Sequence, residues 1–300
     1  MLIGVIANIT KENVFGVVSK LTKELKANGL EYLLTKTLVE EKSKIKIEID
    51  EDFLSDDSEI YEKSDMIISV GGDGTMLSTS YHAQLYNKPV IGLNVGKLGF
   101  LAEADISHIS EIINDIKNGN YMIQKRMVIT ADCDTYPKEK LYAINDVVID
   151  KGGWPKMIEL TAWVDGEYVT TFNADGVIIA TPIGSTGYSL STGGPVVSPS
   201  AGAITLCPIS PHSLTMRPLI LSSDQEIVIK ADSPHDEIQI SCDGQRVYHF
   251  PPPLEVKFLK SDKPLKLVHT SLTTYFETLR NKLLWGIDIR NKPDTGGNDL

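Results

Sequence analysis

The stretch MIISVGGDGT, residues 66–75, decides the fold of the chain. Its apolar first half is typical of a strand buried on both faces of a parallel sheet. Its second half is a glycine turn with one carboxylate, Asp73, and such turns bring backbone N–H groups close to a phosphate. An Asp-Gly hairpin turn is the alternative. We favour a strand, a turn and a helix, because residues 76–82 have the pattern of a helix start.

Apolar runs of strand length recur through the first third of the chain. They are separated by helical or polar segments and lie at residues 2–7, 31–36, 66–70 and 89–93. The first connection carries apolar side chains at helical spacing from Val14 to Leu25, and Gly29 is placed to end that helix in a left-handed conformation. Alternating strands and helices predict a doubly wound, Rossmann-like α/β domain, in which ligands bind at the carboxyl ends of the strands. Asp73 falls at such an end.

After residue 120 the pattern changes to short alternating runs that are broken by turns. The two runs that flank Asp165 and Gly166 predict a β-hairpin. Further runs of the same kind lie at residues 227–229, 238–240 and 254–256. We therefore predict an antiparallel β-domain of sandwich type over residues 120–270. An amphipathic helix is expected at residues 274–285, and the polar, glycine-rich tail 291–300 is expected to be disordered.

The composition limits the class of protein and its partners. The 300 residues include 42% hydrophobic and 23% charged residues, which predicts a globular protein of two domains. The 29 basic and 40 acidic residues give a net charge of −11, which argues against nucleic acid or an anionic membrane as the main partner. A protein of this sign must hold phosphates with backbone N–H groups, a metal ion and a few placed cations.

Cysteine usage and hydropathy bear on the compartment. Three widely spaced cysteines suggest neither a disulfide framework nor a zinc site. No stretch approaches the roughly 18 apolar residues of a membrane helix, and the first residues lack the pattern of a signal peptide. A cytoplasmic location is therefore expected.

A second motif defines the phosphate chemistry further. The stretch ADGVIIATPIGSTGYSLSTGGP, residues 174–195, is another apolar strand that ends in a turn rich in Gly, Ser and Thr. With Asn145-Asp146 before it and Asp243-Gly244-Gln245 after it, the chain resembles the NAD kinases from about residue 2 to residue 286. Those enzymes phosphorylate the adenosine ribose 2′-hydroxyl of NAD to form NADP. The first motif alone is shared with phosphofructokinases and with diacylglycerol and sphingosine kinases, and the second motif excludes them.

The resemblance implies roles for the glycine turn. Asp73 is expected to be the general base, because its carboxylate can accept the proton of an alcohol that attacks a γ-phosphate. The alternative is an Asx-type turn that caps the next helix. Contacts to the phosphoryl donor are expected from Gly71, Gly72, Gly74 and Thr75.

The resemblance also implies a set of residues that bind the dinucleotide: Asn145, Asp146, Lys156, Asn173, Asp175, Thr186, Gly187, Tyr188, Ser189, Ser191, Asp243 and Gln245. Asp175 is expected at the nicotinamide end, and His212 lies in a stretch that can approach the nucleotide. Two positions depart from the family pattern, since Asp146 stands where Glu is common and Gly187 where Ala is usual. Ser185 does not lie in a Gly-x-Ser-x-Gly hydrolase motif.

The resemblance further implies the domains, the cofactors and the assembly. The C-terminal helix is expected to return to the first domain, which would comprise residues 1–119 and 271–290. The phosphoryl donor would be ATP or polyphosphate with Mg²⁺, whose ligands the sequence does not identify. A homodimer or homotetramer built through the β-domain is expected, with the site in the cleft between the domains. The alternatives are a lipid or sugar kinase that shares the glycine turn and a non-catalytic NADP-sensing module.

Overall fold

The structure is a computed structural model that describes residues 1–11, 13–40, 53–96, 99–102, 104–133, 141–270 and 274–285. The expected disordered tail, residues 291–300, lies outside this range. No helix within the described residues is long and apolar enough to span a membrane.

The elements alternate between strand and helix through the first third of the chain. In order they are β1 (Leu2–Ala7), α1 (Val14–Ala27), β2 (Glu31–Thr35), α2 (Thr37–Glu40), β3 (Leu54–Ser55), α3 (Asp57–Lys63), β4 (Met66–Gly71), α4 (Asp73–Leu85), β5 (Pro89–Asn94), β6 (Ala104–Asp105), α5 (Ile109–Asn118) and β7 (Met122–Arg126). Gly29 has a φ of +68° and follows α1, as its position in the sequence predicts.

The remaining elements are mostly short strands. They are β8 (Ile129–Cys133), β9 (Leu141–Ala143), β10 (Asp146–Asp150), β11 (Ile158–Val164), β12 (Glu167–Ala174), β13 (Gly176–Ala180), α6 (Tyr188–Ser191), β14 (Ala203–Ile209), β15 (Leu219–Ser222), β16 (Ile227–Asp232), β17 (Ile238–Cys242), β18 (Arg246–Phe250), β19 (Leu254–Lys260), β20 (Leu265–His269) and α7 (Tyr275–Leu283). The predicted hairpin of β11 and β12 is present.

The first sheet has the order β3-β2-β1-β4-β5-β20-β7, with β6 beside β5. All of its neighbouring strands are parallel except β20 and β7. Apolar side chains of α1 and α5 pack with one face of the sheet, and those of α3 and α4 pack with the other. The predicted doubly wound α/β architecture is therefore confirmed.

Two strands belong to a different sheet from the one that the sequence suggests. The predicted β-domain, residues 120–270, includes β7 and β20, yet both strands pair within the first sheet. The chain thus leaves the first sheet after Arg126 and re-enters it at Leu265. The reason is that the residues of a short strand such as β7 carry no information about its partner, which lies more than a hundred residues along the chain.

The other strands form two six-stranded sheets with the orders β15-β14-β13-β10-β17-β18 and β12-β11-β16-β19-β8-β9. Apolar residues of both sheets share one buried core, in which Ile149, Leu160 and Ile229 are completely buried. The expected antiparallel sandwich is confirmed.

The junction of β4 and α4 explains why the glycine turn is needed. Every residue of β4 is buried, and α4 begins at Asp73 directly after Gly72. A Cβ atom at Gly71 would lie 2.4 Å from Oγ1 of Thr75, so only glycine fits at this position. The segment is a strand, a turn and a helix, and the hairpin alternative is wrong.

Candidate active site

Asp73 stands at the start of α4 and binds a loop from a different part of the first domain. Its Oδ2 accepts a hydrogen bond from the Phe100 amide at 2.9 Å, and its Oδ1 accepts bonds from the Leu101 and Ala102 amides at 3.0 and 3.1 Å. A Cβ atom at Gly99 would lie 1.8 Å from Oδ1, so this close approach requires glycine. Asp73 therefore does not cap its own helix through its side chain.

The hydrogen bonds of Asp73 leave part of the carboxylate open. An ionised carboxylate offers about four lone-pair directions, and the three amides occupy two on Oδ1 and one on Oδ2. Among the described residues no further group lies at hydrogen-bond distance, so the remaining direction belongs to Oδ2. This oxygen is thus fixed in position and still able to accept one more proton donor.

The C-terminal helix reaches the same carboxylate. Lys282 on α7 places its Nζ 3.7 Å from Oδ2 of Asp73 and 5.1 Å from the centre of the Phe100 ring. The amphipathic pattern predicts this helix, but nothing in the sequence indicates that Lys282 meets Asp73.

The rest of the glycine turn is held by its neighbours. Thr75 Oγ1 accepts a hydrogen bond from the Asn8 side chain at 3.0 Å. The carbonyl oxygen of Gly74 accepts a bond at 2.9 Å from the Gln245 side chain, which belongs to the β-domain. A Cβ atom at Gly72 would meet no atom of the described residues within 4 Å, so in this part of the structure the backbone there has open space beside it. Gln245 thus joins the two domains at the turn.

Arg246 strengthens the same junction. Its guanidinium carbon lies 3.6 Å from the centre of the Tyr81 ring on α4, and its Nη2 donates to the Tyr142 carbonyl oxygen at 2.8 Å. The same Nη2 donates to Oδ2 of Asp243 at 2.6 Å. Arg246 lies outside the predicted binding residues, although it directly follows the Asp243-Gly244-Gln245 turn.

Asp243 is not placed to contact a ligand, contrary to the expectation. Its side chain is only 1% exposed. Its Oδ1 accepts hydrogen bonds from the amides of Ile144 and Asn145 at 2.9 and 2.7 Å. Asp243 and Gly244 have φ values of +57° and +63° and form the turn between the paired strands β17 and β18. The carboxylate is needed inside the protein, where it fixes the backbone at Asn145.

Asp146 is the first residue of β10, and Asn145 directly precedes it. The side-chain oxygen of Asn145 is buried and has no hydrogen-bond partner among the residues that the structure describes. Asp146 is 5% exposed; burial, assisted by the negative charge of Asp243, raises its pKa to about 7. A Cβ atom at Gly187 would lie 3.8 Å from Asp146 Oδ2 and 4.0 Å from Asn145 Nδ2, so Gly187 stands beside both side chains.

The raised pKa of Asp146 predicts a pH-dependent stability. Between pH 3.8 and about 7 the folded state binds a proton that the unfolded state has lost, so this contribution to stability is complete below pH 3.8 and is lost as the pH rises through 7. We expect Asp146→Asn to remove it and to raise the free energy of unfolding at pH 8.5 by an amount on the order of a few kcal/mol. Urea unfolding from pH 5 to 8.5 measures the effect. The exposed Asp224→Asn is the control, and an equal pH slope in the wild type and in Asp146→Asn would contradict this role.

In the turn after β13, some side chains face the solvent and others face the core. Tyr188 is 48% exposed, Ser191 is exposed and Thr186 is half-buried. Ser189, however, is completely buried, with its Oγ 3.1 Å from Cys207 Sγ, so its side chain faces the core and a contact with the ligand would have to come from its backbone. Ser185 is also buried and bonds the backbone of Pro182 and Val197.

The loop that binds Asp73, the second motif and α7 meet at one place. A small cavity of about 20 Å³ is lined by Phe100 and Leu101 of the loop that binds Asp73, by Ile183 and Thr186 of the second motif, and by Tyr275 of α7. Segments from both domains thus converge beside Asp73.

Three of the predicted residues lie elsewhere. Asp175 immediately precedes β13, whereas Asn145 contacts Thr181 immediately after it. Six residues of extended chain separate Asp175 from Thr181, or roughly 20 Å. Asp175 forms an ion pair with Lys151 at 2.6 Å, and Asn173 and Lys156 are exposed at the same end of the sheet. His212 donates its amide to the Asn173 carbonyl oxygen at 2.9 Å and so belongs to this end. Within one chain, Asp175, Asn173 and Lys156 therefore lie at the far end of these strands from Asn145 and the Asp73 site.

Models of protein families match both parts of the chain. The ATP-NAD kinase N-terminal domain matches residues 3–121, and the ATP-NAD kinase C-terminal domain matches residues 144–270. A protein of Prosthecochloris aestuarii that is named NAD kinase is 38% identical over 287 residues, which cover 95% of this chain and 98% of that protein.

Two solved structures are similar over nearly the whole chain. Yeast NADH kinase complexed with NADH has a TM-score of 0.87 at 25% identity, covering 98% of this chain and 90% of that one. An NAD kinase from Archaeoglobus fulgidus in complex with ATP has a TM-score of 0.73 at 27% identity, covering 95% and 99%.

Proposed function

The chain belongs to the NAD kinase family, and on that premise we propose which of its residues carry out the phosphorylation of NAD. ATP is the proposed donor, because one similar structure was solved with ATP. The acceptor is the 2′-hydroxyl of the adenosine ribose. Family membership removes the alternatives of a lipid kinase, a sugar kinase and a non-catalytic sensor. We also propose that the enzyme acts in the cytoplasm.

The observation that carries the proposal is the open lone-pair direction of Asp73 beside the glycine turn. In the reaction, the hydroxyl proton passes to Oδ2 of Asp73 while the hydroxyl oxygen bonds to the γ-phosphorus. The bond from that phosphorus to the bridging oxygen breaks, and ADP leaves. The transition state of phosphoryl transfer is loose, so positioning and charge neutralisation contribute more than the strength of the base.

The residues present fit a Mg²⁺ ion that is bound mainly by the donor. In the described part of the chain, no three His, Cys, Asp or Glu side chains are grouped to hold a metal. Mg²⁺ commonly keeps several waters and binds the substrate phosphates with few protein ligands, so the glycine turn would hold it through the donor phosphates, and the open lone-pair direction of Asp73 stays with the acceptor hydroxyl. When bound, the ion would neutralise phosphate charge.

The adenosine end of NAD is proposed to bind at the start of β10. The unpartnered Asn145 oxygen can accept a hydrogen bond from an adenine amine or a ribose hydroxyl. Asp146 is partly protonated near neutral pH, since its pKa is about 7, and can then donate as well as accept. Gly187, Tyr188 and Ser191 border this place and supply contact surface.

The direct test is the identity of the product. Purified protein is incubated with NAD or NADH and with ATP or polyphosphate, and the products are separated by chromatography. We expect NADP from NAD and ATP. Phosphorylation of sphingosine or fructose 6-phosphate without NADP, or no phosphorylated dinucleotide with any donor, would contradict the proposal.

We further propose that a second copy of the chain completes the nicotinamide end of the site. The strands β10 and β13 connect the region of Asn145 with that of Asp175, and both of their faces are buried. One face packs in the sandwich core. On the other face, Val148 and Ile178 are buried together with Cys207, which contacts Ser189 of the second motif. A dinucleotide therefore has no route along these strands within one chain. In a homodimer or homotetramer, Asp175, Asn173 and Lys156 of one copy can reach NAD bound at Asp73 of another.

Asp175→Ala should raise the KM for NAD ten- to over a hundred-fold and change the KM for ATP little, because a charge-assisted hydrogen bond contributes about 1.5–3 kcal/mol. Steady-state kinetics measure both constants. Asp224→Ala is the matched control, since Asp224 is also ion-paired in the β-domain, with Lys260 at 3.2 Å, but is 80% exposed. A selective change in the KM for ATP would refute the placement of Asp175.

Mixing two variants tests the shared site. Asp73→Asn and Asp175→Ala subunits, each defective alone, should recover activity at low NAD when exchanged, because a mixed dimer contains one site with both native residues. Random exchange restores about a quarter of the sites in a symmetric dimer. Activity equal to the sum of the separate variants would exclude a site shared in this way.

A further inference from the structure

Lys282 approaches the reactive side of Asp73 from outside the two nucleotide motifs. Its Nζ lies 3.7 Å from Oδ2, the carboxylate oxygen that retains a free lone-pair direction. Its side chain is 29% exposed and passes over the Phe100 ring. The backbone amide of Phe100 donates to the same Oδ2. The cation is thus part of the surface against which an acceptor hydroxyl must lie.

The packing of α7 fixes this position. The Thr274 side chain caps the helix by accepting from the Glu277 amide. Thr278 and Leu279 are buried, and Lys282 follows them by four and three residues, so all three share one face of the helix. The stem of Lys282 therefore packs along the domain while its amine reaches Asp73. Arg280 is exposed on the same helix and makes no such approach.

The charge of the protein makes a cation here significant. The chain has a net charge of −11 and must bind anions through local groups. Two other cationic side chains near the domain junction already bind protein groups. Arg246 donates to Asp243 and to the Tyr142 carbonyl oxygen, and Arg126 donates to Gln124. Lys282 faces the glycine turn, where the donor phosphates must lie.

The role that we infer for Lys282 from these contacts rests on the proposed function and extends it. A hydroxyl that donates its proton to Oδ2 of Asp73 attacks a phosphorus atom that lies next to the hydroxyl oxygen. That phosphorus is therefore close to Nζ of Lys282 as well. We propose that Lys282 binds the transferring γ-phosphoryl group of the donor, and that in the free enzyme it is held in place by its ion pair with Asp73.

The proposed sequence of contacts conserves atoms and charge. Lys282 stays protonated and turns N–H donors from the Asp73 carboxylate to the phosphoryl oxygens when the donor binds. Oδ2 loses the neighbouring cation and keeps its free lone-pair direction for the acceptor hydroxyl. The hydroxyl proton then moves to Asp73 as the new O–P bond forms and ADP departs. Donor binding thereby prepares the base for the acceptor.

The first experiment compares Lys282→Gln, Lys282→Arg and the control Arg280→Gln, which removes the same charge from the exposed side of α7. We expect Lys282→Gln to lower kcat/KM for ATP by about 10²–10³, the usual effect of losing one preorganised donor to transition-state charge. The KM for NAD should stay within about twofold. Lys282→Arg should recover part of the loss, and Arg280→Gln should match the wild type.

The second experiment separates phosphate binding from mere support of Asp73. In an Asp73→Asn background there is no carboxylate for Lys282 to neutralise, so a supporting role predicts equal affinity for MgATP with and without Lys282→Gln. Our proposal predicts weaker binding in the double variant, by about ten-fold or more for the loss of one charged hydrogen bond, as measured by calorimetry with NAD absent. Melting curves check that each variant is folded.

The outcomes distinguish this proposal from the function on which it rests. If the wild type makes NADP and Lys282→Gln has wild-type kcat/KM for ATP, the assignment of Lys282 is wrong while the function stands. If MgATP binds the double variant as tightly as Asp73→Asn, Lys282 does not bind the donor. If the wild type makes no NADP, the proposed function itself fails.

Discussion

Asp73→Asn is expected to lower the turnover of NAD to NADP by about 10²–10⁴, the usual contribution of a general base. The amide cannot accept the proton of the 2′-hydroxyl as the carboxylate does. With its oxygen at the Oδ1 position, Asn can still accept from Leu101 and Ala102. Its NH₂ group then faces the Phe100 amide and Lys282, so one loop contact is also lost.

The effect of the lost contact with the Phe100 amide must be separated from the effect of the lost general base. Calorimetric titration with NAD and thermal melting measure whether the loop still holds the site. Asp105→Asn is a matched control, because Asp105 also stands at a helix start and accepts from a backbone amide, that of Ser107, but lies at the surface. Near-wild-type turnover of Asp73→Asn with unchanged NAD binding would show that Asp73 is not the base.

The parts of the fold that the sequence predicts depend on neighbouring residues. The apolar run of β4 and the glycines after it are sufficient to predict a strand, a turn and a helix, although the helix begins at Asp73, three residues before the predicted start. The hydrogen bonds of Asp73 to residues 100–102 join groups about 27 residues apart, and no local pattern encodes them. The same limit applies to the pairing of β7 with β20.

The candidate site was only partly predictable for a related reason. Motifs indicate which residues lie near a ligand but not whether a side chain faces it, so Asp243 and Ser189 were expected to bind NAD although both are buried in the protein. The separation of Asp175 from Asn145 could have been found, since a five-residue apolar strand between Asp175 and Thr181 already implies roughly 20 Å. Lys282 and Arg246 lie outside the motifs and gave no such signal.

Asp243 is where we expect the largest loss of stability. Its buried carboxylate accepts from the amides of Ile144 and Asn145 and pairs with Arg246 at 2.6 Å. Asp243→Ala leaves these donors without their acceptor, and breaking a buried ion pair costs about 3–5 kcal/mol. The backbone at Asn145 also loses its anchor, so the KM for NAD should rise in any variant that still folds.

Urea unfolding at fixed pH measures the loss, and Asp165→Ala provides the matched control. Asp165 also occupies a hairpin turn with a left-handed φ, +51°, before a glycine, and also accepts a backbone amide, that of Glu226 at 2.9 Å. It differs in being exposed at the surface, so its removal should cost about 1 kcal/mol or less. Equal losses in the two variants would mean that turn geometry, and not the buried network around Asp243, sets the stability of this junction. A larger loss for Asp243→Ala, with a raised KM for NAD, is the result expected if one carboxylate both closes the domain junction and holds the start of β10 for the nucleotide.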